Sequence, residues 1–246
     1  MDPPLATLLL ILLIVSVTHF LGSFAAYGSS LLAMPFFMAA TGDLEFSIGV
    51  LMLMGGVQSA VILRHNSAFI DWRKLGLICG GMILGAPIGV LLVESLPRRE
   101  ILLVLGGVLI LSGLLGLFHQ TERHRTWPAW LNFLVLMGAG AVHGAFASGG
   151  SVLILYARNA FTQKETFRAT LAAVWICINA LLLIRLAWSG QFQMRVLPAA
   201  AMATLVVMGA GLAAERLVAR FSHRAFMILI SLLLLLSGLV TLFRAA

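Results

Sequence analysis

Long apolar runs separated by short polar joints repeat along the whole chain. Ten such runs lie at about 5–21, 31–40, 47–63, 75–93, 101–118, 130–142, 151–161, 167–187, 196–214 and 225–243. Most approach the roughly 20 residues that a helix needs to cross hydrocarbon, whereas 31–40 and 151–161 are too short to span alone at about 1.5 Å per residue. The pattern predicts an all-α integral membrane protein with about eight transmembrane segments.

Each short run directly follows a patch of small residues that hold a helix poorly. The first patch is Gly28, Ser29 and Ser30, and the second is Ser148, Gly149, Gly150 and Ser151. In hydrocarbon, non-helical backbone survives only where protein covers it or where it lines a wet cavity. The patches therefore predict two broken or hairpin-like segments, whose non-helical backbone is either covered by protein or lines a wet cavity.

The two patches belong to an internal repeat. A shift of 121 residues aligns Gly28–Ser30 with Gly149–Ser151, Gln58 with Asn179, and Arg64 with Arg185. Because ordered matches continue along the chain, we predict two homologous four-segment halves, 1–119 and 125–246. Together they form one membrane domain.

The basic residues indicate how the halves are oriented, because cytoplasmic joints are enriched in Lys and Arg. Counting each broken segment as one full span divides the sixteen basic residues evenly between the two faces. Treating 5–40 and 130–161 as hairpins that enter and leave by one face instead puts eleven on the same face: Arg64, Arg73, Lys74, Arg123, Arg125, Arg158, Lys164, Arg168, Arg216, Arg220 and Arg224. Three full spans then remain in each half. The charge distribution therefore favours an inverted repeat.

Composition excludes a soluble protein. The chain is 61% hydrophobic and 10% charged, with a mean hydropathy of +1.05. Its net charge of +7 is confined to the joints, which is typical of membrane anchors and does not indicate a nucleic-acid partner. No nucleotide-binding loop, metal-ligand cluster or nucleophile arrangement stands out, so we expect neither an enzyme nor a cofactor or metal.

The patches have the chemistry of an anion site. A helix that begins at Ser29 or Gly150 offers unpaired N–H groups and the positive end of its dipole. The hydroxyls of Ser29, Ser30, Ser148 and Ser151 add donors without placing a full charge in the membrane. Small residues also permit close helix packing, so a packing seam stays open as an alternative.

A few other polar residues are candidates for the same site. Gln58 and Asn179 are amides inside full spans, and either one lines a cavity or bonds a neighbouring helix. His19 and His143 precede the patches and are either anion donors or proton relays, or satisfied core histidines. Arg64 and Arg185 end equivalent spans, as membrane-edge anchors or as residues that attract anions.

Three short motifs resemble a known family. YGSSLLAMP (27–35) and SGGSVLILY (148–156), together with the joint IDWRKL (70–75), are similar to the twin signature of the sulfite exporter TauE/SafE family of membrane transporters. The resemblance covers essentially the whole chain and implies export of sulfur-containing anions such as sulfite and sulfonates. Ser29 and Ser30 replace frequent consecutive glycines, and Ser151 replaces a frequent proline. These departures leave the substrate open.

The sequence thus predicts a multi-pass transporter of the cell membrane that exports a small sulfur-containing anion. Its substrate site is expected between the two Gly/Ser breaks, and its partners are the anion and the lipid bilayer. An anion channel and a non-transporting assembly or sensor subunit are the alternative functions. The oligomeric state is left open, a homo-oligomer included.

Overall fold

All regular structure in the described residues is helical. The computed structural model describes residues 5–26, 28–118, 127–217, 228, 231–232, 234–236, 238–239 and 241–243. Its α-helices are α1 (Leu5–Ala25), α2 (Ser29–Thr41), α3 (Leu44–Asn66), α4 (Trp72–Ser95), α5 (Arg98–Phe118), α6 (Ala129–Phe146), α7 (Gly150–Ala160), α8 (Lys164–Trp188) and α9 (Val196–Leu217). The described residues between 228 and 243 are also helical, and the rest of the predicted run 225–243 lies outside the described residues.

Six of these helices are long and apolar enough to cross a membrane: α3, α4, α5, α6, α8 and α9. The helices α2 and α7, with 13 and 11 residues, are the short runs that the sequence marked as unable to span alone. The all-helical membrane class is therefore confirmed. The arrangement of eight segments in two inverted halves stays a prediction, as do the halves themselves.

The two breaks share a local geometry. The first helix ends at Ala25 and α6 ends at Phe146, which are 121 residues apart. The next residues, Ala26 and Ala147, both adopt a left-handed backbone, with φ of 59° and 52°. This conformation is uncommon for alanine and ends a helix sharply. The same shift that aligns the sequence patches thus also aligns the two points at which the chain leaves a helix.

The chain folds into two compact units, each built from two stretches of sequence. Unit 1 contains residues 1–79 and 163–218, and unit 2 contains residues 80–162 and 219–246. Unit 1 holds the first break with α3, α8 and α9, and unit 2 holds the second break with α5 and most of α4. Each unit therefore draws on both of the predicted halves.

In unit 1, α3 and α8 run antiparallel. Beyond the end of α3, the Asp71 N–H donates to Thr170 Oγ1 near the start of α8 at 3.0 Å. Before the start of α3, the Asp43 carboxylate accepts hydrogen bonds from Gln193 and Arg195, which follow the end of α8. The two loop contacts fix opposite ends of the same helix pair.

Aspartates also begin two of the membrane helices. Asp43 accepts from the Phe46 N–H at 2.9 Å and caps α3. Asp71 accepts from the Lys74 N–H at 3.0 Å, and this bond holds the pKa of the partly exposed carboxyl group below its usual range. Carboxylates suit these positions because they satisfy free N–H groups and face the positive end of the helix dipole.

The helices α1 and α2 form a hairpin. The first helix follows α3 in the same direction, because the His19 carbonyl accepts from Gln58 while Ala26, just past the end of α1, packs with Ile62. The second helix returns along α3, because its first residue, Ser29, bonds Gln58 and its last, Thr41, bonds Ser47 near the start of α3. The hairpin-like reading of this first broken segment therefore agrees with the contacts within unit 1.

In unit 2, α4 and α6 pack through a seam of glycines spaced four residues apart. The seam contains Gly81, Gly85 and Gly89 of α4 with Gly140 and Gly144 of α6. A methyl group on any of them would overlap atoms of the facing helix, most of them backbone atoms. Glycine is required here because it lets two membrane helices approach backbone to backbone.

The seam predicts that alanine substitution lowers thermal stability at one glycine of α4 and not at another. Gly85→Ala should lower thermal stability and monodisperse yield in detergent, because its methyl group would overlap the Met137 carbonyl and overpacking typically costs about 1–3 kcal/mol. Gly80→Ala is the matched control, since a methyl group there meets no atom within 4 Å. Equal thermal unfolding of the two variants would contradict the seam.

The hairpin predicts which side of the membrane its ends occupy. In protein whose two cysteines are replaced by alanine, Thr7→Cys and Glu45→Cys should react with a membrane-impermeant maleimide from the same side. Ser67→Cys, beyond the other end of α3, should react from the opposite side. Reaction of Thr7→Cys and Glu45→Cys from opposite sides would show that α1 and α2 cross as one continuous span.

Candidate functional site

The tip of the first hairpin is an uncrowded helix start. Gly28 precedes α2 with a left-handed φ of 90° and makes no side-chain capping bond. A methyl group at Gly28 would meet no atom within 4 Å, and the residue is only half-buried. The first N–H groups of an α-helix have no partner within the helix. The tip thus combines backbone donors with room for a small ligand.

This helix start lies at the middle of a membrane span. Gly55 is the central residue of α3 (Leu44–Asn66). A methyl group on Gly55 would lie 2.9 Å from the Asn179 Nδ2 and 3.9 Å from the Ser30 Oγ. The hydroxyl of Ser30 and the amide of Asn179 therefore both lie within 4 Å of the same point beside Gly55. Sequence reasoning singled out both residues, and the structure brings them together in unit 1.

Gln58 connects the hairpin to α3. Its amide nitrogen donates to the His19 carbonyl and to the Ser23 Oγ, both at 2.8 Å, and its amide oxygen accepts from the Ser29 Oγ at 2.6 Å. Both amide hydrogens are thus used within the protein. In this conformation Gln58 positions Ser29 and the end of α1. Of the two roles that the sequence left open for Gln58, the contacts show the bond to neighbouring helices.

Two side chains of α8 bind the carbonyl groups at the break. Arg168 Nη2 donates to the Ser23 carbonyl and Trp175 Nε1 donates to the Ala26 carbonyl, both at 2.9 Å. Arg168 and Trp175 are buried, with 6% and 9% of their surface exposed. In the sequence, Arg168 is one of the basic residues of a joint, and Trp175 is not among the candidate site residues. The available signal was their spacing, because 168, 175 and 179 lie on one face of a helix.

His19 is fully buried on α1. Its Nδ1 lies 3.1 Å from the Val15 carbonyl one turn earlier and therefore carries the ring proton. Its Nε2 has no hydrogen-bond partner among the described residues. His19 contacts Gln58 through its backbone carbonyl, and its imidazole takes no part in that contact.

The second break, in unit 2, is closed by protein atoms. The Gly149 N–H donates to His143 Nδ1 at 3.3 Å, so this ring nitrogen is unprotonated. A methyl group on Gly149 would lie 2.7 Å from His143 Cβ and would overlap the Ala139 carbonyl. His143 therefore caps α7, and Gly149 is required for packing.

The serines of the second patch bond the same turn. Ser148 Oγ donates to the Phe146 carbonyl at 2.7 Å, and Ser151 Oγ lies 3.4 Å from the Ser148 carbonyl. Ser148, Gly150 and Ser151 are all buried. A substrate site shared between this patch and Gly28–Ser30 stays a prediction.

The remaining candidates lie away from the first tip. Arg64 is exposed near the end of α3, and Arg185 is half-buried in the last turn of α8. Because α3 and α8 are antiparallel, these arginines belong to opposite ends of unit 1. Among the described residues, no group of three or more His, Cys, Asp or Glu is placed to hold a metal ion. Cys79 and Cys177 are free thiols.

Comparison with known proteins adds an independent observation. Over 142 residues, or 58% of this chain, the sequence is 28% identical to a probable inner membrane transporter protein, TsaS, of Comamonas testosteroni. The aligned stretch spans 56% of the length of that relative. No solved structure matches the chain.

A sequence profile described as sulfite exporter TauE/SafE matches residues 10–241. The match includes both breaks, all six long apolar helices and nearly the whole chain. It thus agrees with the resemblance of the two Gly/Ser motifs and with the all-helical membrane fold. The chain belongs to the sulfite exporter TauE/SafE family of membrane transporters.

Proposed function

We propose that this protein is an inner-membrane transporter that exports a small sulfur-containing anion of the sulfite or organosulfonate type. The anion binds at the start of α2, where the hairpin turns. One observation carries the proposal: the Ser30 hydroxyl and the Asn179 amide both lie within 4 Å of the same point beside Gly55, at the middle of α3. The space beside Gly28, two residues before Ser30, is open.

The donors at this place suit an anion. The unpaired N–H groups of a helix start, together with the positive end of its dipole, attract negatively charged groups. Ser30 and Asn179 add a hydroxyl and an amide donor. Several transporter folds likewise place a broken helix near the bilayer midplane and direct its N-terminus at an anionic group of the substrate.

The small size of the residues around the turn favours a compact ligand. Gly28 leaves open space at the backbone, and none of Gly28, Ser30 and Gly55 extends a long side chain into the turn. The three sulfur-bound oxygens of sulfite or of a sulfonate group can accept several hydrogen bonds from N–H and O–H donors at once. The family description, sulfite exporter, supports this ligand class. An inside-negative potential then favours export by about 2.3 kcal/mol per charge per 100 mV.

The proposal is tested by uptake into proteoliposomes of labelled sulfite, sulfate, thiosulfate, ethanesulfonate and acetate. We expect saturable uptake of sulfite or ethanesulfonate and little uptake of acetate. No saturable uptake of any sulfur anion by monodisperse, thermally stable protein would overturn the proposed function. A conductance far above carrier turnover in planar bilayers would instead show an anion channel.

Two neighbouring glycines test where the substrate binds. Gly55→Ala should raise the KM for the transported anion about tenfold, because its methyl group displaces the Asn179 amide, and a factor of ten corresponds to about 1.4 kcal/mol. Folding should be preserved, since the displaced atom is the end of a side chain.

Gly56→Ala is the control for this substitution. It adds the same methyl group to the next residue of α3, where no atom lies within 4 Å. We expect its KM to equal that of the wild type. A KM that is unchanged in both variants, measured at equal yield of folded protein, would place the substrate elsewhere.

A further inference from the structure

Arg168 points toward the interior of the membrane span. Asn179 lies beside Gly55, and Ala172 packs with Ile62, so α8 and α3 are in antiparallel register. Residue 168 is therefore level with the end of α3, near position 66. Its guanidinium nevertheless reaches the carbonyl of Ser23, whose side chain bonds Gln58, at least one turn (about 5 Å) nearer the middle of α3.

This orientation is unusual for an arginine at the start of a membrane helix. A long basic side chain in the first turns of such a helix ordinarily extends outward to the interface. Here the head group is instead buried against the end of α1. A basic residue kept inside the membrane is costly, which makes a specific role the first hypothesis for it.

Trp175 makes the second of a pair of contacts. Two turns after Arg168, its indole N–H donates to the carbonyl of Ala26, the residue with left-handed φ that ends α1. Ser29 begins α2 three residues later. Both α8 side chains thus hold carbonyl groups that the break removes from the helical pattern of bonds.

A third member of the same face of α8 reaches the proposed substrate position. Asn179 follows Trp175 by one turn and lies over Gly55 beside Ser30. Along one helix face, two residues therefore hold the end of α1 and the next residue meets the start of α2. The two carbonyl contacts hold the end of α1, and Gln58 holds Ser29 at the start of α2.

We propose that Arg168 and Trp175 form a tip clamp: two positioning residues that hold the first hairpin so that the α2 N-terminus and Asn179 face one anion. The proposal rests on the proposed function for its substrate. It assigns to Arg168 and Trp175 a role in substrate affinity, exerted through the backbone of residues 23–26, without contact with the anion.

Conservative substitutions test the clamp. Trp175→Phe keeps an aromatic ring and removes only the N–H donor, so a buried carbonyl is left without its partner. Arg168→Met removes the charge and donors, and Arg168→Lys restores a charged donor. We expect Trp175→Phe and Arg168→Met to raise the KM for anion uptake about tenfold with Vmax nearly unchanged. Arg168→Lys should recover most of the affinity.

The control is Trp188→Phe, the same substitution at the 90% exposed end of α8. Its KM should match that of the wild type. An unchanged KM in both Trp175→Phe and Arg168→Met would overturn the clamp, whether or not their melting temperatures fall. A fall in Vmax alone, at constant KM, would also overturn it, because that result indicates less folded protein and no change in the site.

A second readout does not depend on transport. In protein whose two cysteines are replaced by alanine, Ser30→Cys should react with a maleimide about tenfold faster when Trp175→Phe is also present, because the tip is released from α8. Equal reaction rates would overturn the clamp. Failure of the wild type to transport any sulfur anion would count against the proposed function. It would not affect the labelling experiment, which tests the contact between α8 and the hairpin directly.

Discussion

Every peptide group inside the membrane needs a hydrogen-bond partner, and the rest of this structure depends on how the two helix breaks meet that requirement. At the first break, α1 ends with Ala26 in a left-handed conformation and leaves carbonyl groups facing away from its own helix. The side chains of Arg168 and Trp175 bind these groups from α8. Two carbonyl groups at the turn of the hairpin thus have partners inside the protein.

The second break meets the same requirement in another way. The N–H of Gly149 is bound by the imidazole of His143, and the space above the glycine is filled by α6. Gly28, at the equivalent sequence position, has a left-handed backbone and no atom within 4 Å of an added methyl group. Two patches that look alike in sequence thus have different surroundings: protein atoms fill the space beside Gly149, and the space beside Gly28 is open.

Much of this fold follows from the sequence alone. The apolar runs predicted the helices, and the short runs after small residues predicted the breaks, because chain length and backbone satisfaction in hydrocarbon leave few alternatives. The sequence also placed Ser30, a hydroxyl of the first patch, and Asn179, an amide inside a full span, among the candidates for one site, but it did not pair them.

Other features depend on tertiary geometry that spacing does not encode. Arg168 looks like any basic residue at a joint, and only the register of α8 against α3 shows that its head group reaches inward. Gln58 looks like a ligand until its bonds to His19, Ser23 and Ser29 are seen. The two glycine patches differ through the helices packed against them.

The central claim is that the start of α2 binds the anion, and equilibrium binding to purified protein tests it most directly. Radiolabelled sulfite and ethanesulfonate would be titrated into the wild type, Ser30→Ala and Ser112→Ala, the last being a serine of α5 whose Oγ donates to the Val108 carbonyl of the same helix. The account predicts saturable binding of one of the two anions, with Kd about tenfold higher in Ser30→Ala and unchanged in Ser112→Ala. Equal Kd values for Ser30→Ala and the wild type, or no saturable binding of either anion, would contradict it.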